Sequence, residues 1–200
     1  MSSSSSQNEG VHAPLMENNT HLIYKRNIAL MGFAAVGKTS ISRYFKTKEF
    51  EQPYSPTPSQ TWDKETCIDK VKFDIHIVDT AGMDDQMPIP KEVSIGMDGY
   101  VLVFAVNSRQ SFDIVCKLQQ RLTSLYMAVP YILVGNKIDL EDEREVFKED
   151  IIPVVRSWKC PYVECSAKLG KNIDGVFHTL IHHIDESSDI FDTTCCCSIF

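Results

Sequence analysis

The chain of 200 residues sets 20 Lys and Arg against 27 Asp and Glu, for a formal net charge of −7, with 43% hydrophobic and 24% charged residues. That length supports one compact core with tails rather than two cores, and an acidic balance without clustered basic residues excludes a nucleic-acid footprint. The longest apolar runs, such as "YVLVFAV", fall short of a membrane span, and seven cysteines without zinc spacing predict a reduced, cytosolic chain rather than a disulfide framework.

Taken in chain order, residues 1 to 22 open with "MSSSSSQNEG", which lacks the charged and apolar segments of a secretory signal. Ser2 stands where N-myristoylation needs glycine, and the stretch is expected to be a disordered lead. The first predicted strand, "NIALMG", runs into "GFAAVGKTS". This fits G-x-x-x-x-G-K-[ST], a loop whose backbone N–H groups cradle phosphate. The phosphate-binding candidates are Gly32, Ala34, Ala35, Val36, Gly37, Lys38, Thr39 and Ser40. Lys38 reaches the outer phosphates, the Thr39 hydroxyl ligates Mg²⁺, and a helix beginning near Gly37 adds its positive N-terminal end. A triphosphate-type ligand follows, with the base still open.

The second and third strands are "TWDKETCI" and "KVKFDIHIVD", and the third ends in "VDTAG". Asp79 can hold a metal through water there, and a Gly82 N–H can donate to the terminal phosphate, although D-x-x-G alone is a weak pattern. "GYVLVFAV" is the fourth strand, followed by a helix from Ser108 with Ser108 or Ser111 as cap. "YILVGN" is the fifth and leads into "NKID", Asn136 to Asp139. After a helix from Phe147 comes "YVECS", with "SAK" at Ser166 to Lys168, then a final helix from Asn172. The apolar face of that helix is Ile173, Val176, Phe177, Leu180, Ile181 and Ile184. His178 and His182 are i,i+4 neighbours with no further clustered ligand, so they are set aside as a metal site. Met31, Met97 and Trp158 are assigned to the core. The alternation predicts an α/β fold, a six-stranded, mainly parallel sheet with helices on both faces and its ligand at the carboxyl ends of the strands.

Asp139 decides the base. Guanine presents N1–H and an exocyclic amine side by side, which one carboxylate accepts together, whereas adenine offers a lone pair and no amine there. A polar site of this kind rejects the wrong base by roughly 10⁴-fold or more. An ATP-using P-loop enzyme is opposed by "NKID" and by the lack of an acceptor-substrate domain.

With these elements in this order, residues 24 to 185 resemble the Ras superfamily of small GTPases. The run "MDDQMPIPKEVSIGMDGYVLVFAVNSRQSFD", with Pro90, Ser94, Ile95, Gly99 and Tyr100, and "SWKCPYVECSAK" are similar to the Rheb branch. The resemblance implies a single P-loop G domain over residues 23–186 that binds GTP or GDP with Mg²⁺. It implies that switch I is "FEQPYSPTPSQ", where Thr57 completes the Mg²⁺ shell and touches the γ-phosphate, Tyr54 closes over the phosphates and Phe50 packs on guanine. Asn136 and Asp139 then read the base with Ser166 and Lys168 beside them, Lys137 lies along the nucleotide, and the Ala167 N–H meets the guanine oxygen. Lys38, Thr57 and Gly82 carry the catalytic roles, and Thr39, Thr57 and, through water, Asp79 hold the metal.

Departures from the family pattern matter as much. Met83 stands where the family has a glutamine that orients the attacking water, and a thioether is at best a weak acceptor. Ala34 replaces a glycine that leaves room for an arginine finger. Both point to slow hydrolysis unless a partner supplies the missing group. Ser55, Ser59 and Gln60 replace acids on the effector side, which removes the charge complement of a basic docking strand. Pro56 and Pro58 stiffen switch I, while Pro88 and Pro90 disfavour a regular helix in switch II.

The closing "CCCSIF" fits a C-a-a-X box in which Cys197 is prenylated, the terminal Phe200 favouring geranylgeranyl. One lipid binds reversibly, and no Lys or Arg follows Lys171, while Asp185, Glu186, Asp189 and Asp192 are acidic. Palmitoylation of Cys195 or Cys196 is left as the second signal, in a tail taken as residues 187–200. The expectation is a lipid-anchored GTP/GDP switch on the cytoplasmic face of a membrane. Its partners would be effectors, an exchange factor and a GTPase-activating protein. The alternative is a module that stays GTP-loaded with negligible turnover.

Overall fold

The computed structural model describes residues 22–51, 58–125 and 129–187. Six strands, β1 (Ile23–Gly32), β2 (Gln60–Ile68), β3 (Val71–Asp79), β4 (Gly99–Ala105), β5 (Tyr131–Asn136) and β6 (Tyr162–Glu164), form one sheet. Its order is β2-β3-β1-β4-β5-β6, with β2 antiparallel to β3 and every other pair parallel. Four helices follow strands along the chain: α1 (Lys38–Thr47), α2 (Arg109–Leu125), α3 (Lys148–Trp158) and α4 (Ile173–Ser187).

Side-chain alternation divides the core between the two sheet faces. On β1, Ile28 and Leu30 join a cluster with Ile41 and Phe45 of α1 and Phe177 and Leu180 of α4. Ala29 and Met31 point the other way, to Val115 and Leu118 of α2 and Ile151 of α3. Phe45 and Phe177 stack at 3.8 Å between centroids, fixing α1 against α4. Every residue of β4 is buried, as a strand covered on both faces requires. All six apolar positions expected on α4 are buried.

Two local signals resolve in the structure. The Ser111 N–H donates to Ser108 Oγ at 3.3 Å, so Ser108 is the cap of α2. Between Met83 and Ser94 the backbone forms only a 3₁₀ turn at Lys91–Val93, in keeping with Pro88 and Pro90.

One expectation needs correction. Strand β1 begins at Ile23, four residues before the predicted Asn27, and pairs with β3 from Ile23 opposite Lys72. Asp185 is a buried residue of α4 that pairs with Arg26 of β1 at 2.5 Å. That ion pair accounts for the longer strand. The Arg26 guanidinium also lies over the rings of Tyr24 and Phe73.

Candidate functional site

The carboxyl ends of β1, β3 and β5 deliver three loops to one edge of the sheet. After β1 the backbone turns through left-handed conformations at Ala35 (φ 60°) and Gly37 (φ 96°) before α1 begins. A Cβ at Gly37 would lie 2.3 Å from Asn136 Nδ2, so this position demands glycine for space as well as conformation. Lys38 folds back so that its Nζ donates to the carbonyls of Gly32 at 3.1 Å and Phe33 at 3.0 Å. Burial pushes its ammonium down to about 8, opposed by the charge of Asp79.

Asp79 ends β3 fully buried, and burial pushes its carboxyl above the usual range. Hydrogen bonds from the Thr39 hydroxyl and Gln60, then the charge of Lys38, oppose that rise. The Gln60 Nε2 donates to Oδ2 at 3.2 Å. Oδ1 is buried with no hydrogen-bond partner among the described residues. A hydroxyl and a half-satisfied carboxylate at the foot of a phosphate loop are hard oxygen donors, and they fit a hydrated Mg²⁺. Both charges are held at a desolvation cost that phosphate and a divalent cation would relieve.

Gly82 follows on the same loop, packed so tightly that a Cβ there would stand 2.6 Å from Ala34 Cα. Phosphate loop and D-x-x-G loop are thus in direct contact. Met83 does not face this junction. Its N–H donates to Gly32 O at 3.0 Å, and its side chain, 3% exposed, packs in the α2 face of the core with Ala29, Met31 and Val93.

The base-side loops meet through Asn136, which is buried at the end of β5. Its Nδ2 donates to Val36 O at 2.8 Å, and its Oδ1 accepts from the Ala167 N–H at 3.2 Å. One amide therefore joins the phosphate loop to the "SAK" loop. Lys137 takes a left-handed φ of 68°, which turns the chain so that Asp139 reaches Ser166. The Ser166 hydroxyl donates to Asp139 Oδ1 at 2.5 Å and Lys168 Nζ lies 3.8 Å from Oδ2, so the carboxylate is oriented from both sides. These groups surround a cavity of about 590 Å³ lined by Phe50, Asn136, Lys137, Asp139, Ala167 and Lys168 among others. That volume suits a nucleotide-sized ligand. A smaller hollow lined by Lys38, Thr39, Ser40, Thr80 and Gly82 lies on the phosphate-loop side.

The structure thus gathers Gly32, Ala34 to Ser40, Asp79, Gly82, Phe50, Asn136, Lys137, Asp139 and Ser166 to Lys168 around one edge. Tyr54, Thr57 and the cysteines Cys195, Cys196 and Cys197 lie outside the described residues. His182, set aside as a metal ligand, has its Nε2 3.1 Å from Asp69 Oδ2. Sequence reasoning missed Gln60 as a partner of Asp79, and Glu51 and Leu140 in the cavity wall. The Gln60 contact had a signal. Counting outward from the Asp69–Lys70 turn places Gln60 opposite Asp79 in the antiparallel register.

A profile described as the Ras family matches residues 27–186. GTPase RhebL1 of Mus musculus is 39% identical over 165 residues, 82% of this chain and 90% of the relative. The GTP-binding protein Rheb homolog of Dictyostelium discoideum is 34% identical over 165 residues, 82% and 89% of the two chains. The GTP-binding protein Rheb of Homo sapiens is 34% identical over 158 residues, 78% and 86%. With a phosphate loop, a D-x-x-G loop and a base-reading pair converging on one cavity, and these relatives matching across most of its length, the chain belongs to the Ras family of small GTPases, in its Rheb branch.

Proposed function

We propose that this GTP-binding protein is a membrane-anchored GTP/GDP switch in signalling with slow intrinsic hydrolysis. The observation that carries the slow rate is the burial of Met83. The residue at the water-positioning place has no amide, and its side chain packs into the core instead of toward the phosphate loop. In this reading residues 1–22 are a lead, 23–186 the G domain and 187–200 the tail. Lys38 and the Gly82 N–H hold the outer phosphates, Thr57 senses the third one, and Phe50, Asn136, Asp139 and Ala167 hold guanine. Thr39, Thr57 and Asp79 through water would hold Mg²⁺, which would supply positive charge to offset that of the phosphates. Effectors read the GTP state, while an exchange factor and an activating protein reset it. Prenylated Cys197, with palmitoylated Cys195 or Cys196, supplies the two lipids that firm attachment to a cytoplasmic membrane face needs. No helix among the described residues is long and apolar enough to cross a membrane.

The test is single-turnover phosphate release from GTP-loaded protein with exchange blocked. Unaided Ras-type hydrolysis runs on the order of 10⁻⁴ per second with its glutamine in place, and this chain is expected at or below that rate. Met83→Leu keeps the packing and should leave the rate unchanged. Met83→Gln should raise it several-fold provided the loop carries the amide out of the core to the γ-phosphate, while costing about 1–3 kcal/mol of stability, because an amide is unpartnered in the apolar pocket that the thioether fills. A wild-type rate well above the Ras figure removes the proposal. The same burial favours a second reading, a module that stays GTP-loaded with negligible turnover. Bound GDP in purified protein supports the cycling switch, and bound GTP supports the loaded module.

A further inference from the structure

Asp79 has two oxygens with different surroundings. The Thr39 hydroxyl hydrogen-bonds the carboxylate and Gln60 Nε2 donates to its Oδ2 at 3.2 Å, while Oδ1 is buried with no partner among the described residues. A carboxylate rotates about its own axis unless something pins one oxygen, and pinning one determines what the other presents. Gln60 is well placed to do this. It is the first residue of β2, directly opposite Asp79 in the last pair of the β2–β3 ladder. The rest of that ladder, down to Ile68 opposite Val71, sets the reach of the amide.

We propose that Gln60 is a positioning residue for the metal site, holding Asp79 so that Oδ1 faces a Mg²⁺-bound water and so coupling the start of β2 to nucleotide retention. The inference rests on the assignment of Asp79 to the metal made above. Groups that orient a metal-binding carboxylate without touching the ion commonly change metal affinity 10–100-fold when lost. At 3.2 Å the bond is long, so the lower end of that range applies. The position has a further consequence for the chain. Gln60 stands three residues after Thr57, so a partner that displaces the start of β2 withdraws the amide from Asp79 and weakens the hold on nucleotide.

Release of a fluorescent GDP analogue, followed across a Mg²⁺ series and in excess chelator, tests this in wild type, Gln60→Leu, Gln60→Glu and Asp79→Asn. For Gln60→Leu the Mg²⁺ concentration that half-suppresses release should rise roughly ten-fold, with the chelator rate unchanged. Gln60→Glu keeps the shape but replaces the donor by an acceptor beside a carboxylate, and should shift the midpoint at least as far. A midpoint that stays put in Gln60→Leu while Asp79→Asn shifts it overturns the role of Gln60 alone. An equal acceleration with and without Mg²⁺ also overturns it, since loosened packing of β2 acts regardless of the ion. If wild-type release ignores Mg²⁺, or Asp79→Asn changes nothing, the metal assignment falls and this inference with it.

Discussion

The Asp139 carboxylate shows how much of a site one residue can carry. Ser166 and Lys168 hold it from two sides, leaving a fixed acceptor at the mouth of the cavity. Asp139→Asn replaces that acceptor pair by one acceptor and one donor, which suits the C2 oxygen of xanthine better than the guanine amine. Competition between GTP and xanthosine triphosphate is expected to reverse in favour of xanthine, and an unchanged preference would remove Asp139 from the base site. Residues of this kind were legible in the sequence because their chemistry lies in short contiguous motifs. What escaped was contact across elements. Gln60 read as an altered effector residue, because its bond to Asp79 exists only once the antiparallel register is set. Met83 was legible as a missing amide, but not as a core side chain, because one methionine in a polar loop has no periodicity to show where it points.

At the level of elements, the strands and helices were legible from apolar runs and their breaks, and the places of difficulty are polar residues made acceptable by distant partners. Strand β1 gained "IYKR" because Arg26 finds Asp185 on α4, far along the chain. Helix α3 raises a different issue, since Pro153 lies within it. Its ring removes the bond to the carbonyl of Glu149 and crowds the preceding turn. Acids Glu149 and Asp150 in the first turn favour the helix N-terminus, and the Phe147 N–H donates to Asp150 Oδ2 at 3.1 Å. Those terms offset part of the loss. Pro153→Ala should therefore raise stability by about 1 kcal/mol, within the cost a helix-interior proline imposes, measured as an upward shift of the urea midpoint with unchanged slope. A fall in midpoint would show that the ring's packing outweighs the missing bond.

Across the whole molecule, the Arg26–Asp185 pair links the last helix to the centre of the sheet, with side chains only 10% and 3% exposed. Removing one charge leaves the other buried without compensation, so Asp185→Asn should cost about 3–5 kcal/mol. Chemical denaturation measures it, and a loss under about 1 kcal/mol would mean that water reaches Arg26 without difficulty. The pair also sets a length. With the proposed lipid on Cys197, twelve residue steps separate Asp185 from the anchor, a reach of at most about 40 Å. Because Asp185 is clamped to the sheet through Arg26, unwinding of the chain beyond it cannot lengthen that reach, and on the proposed anchor the charges of Asp189 and Asp192 would be repelled by an anionic leaflet. On the proposed anchor the nucleotide-binding edge would be confined to a shell of limited depth above the bilayer, and only partners that present their own surface within that depth would meet it there.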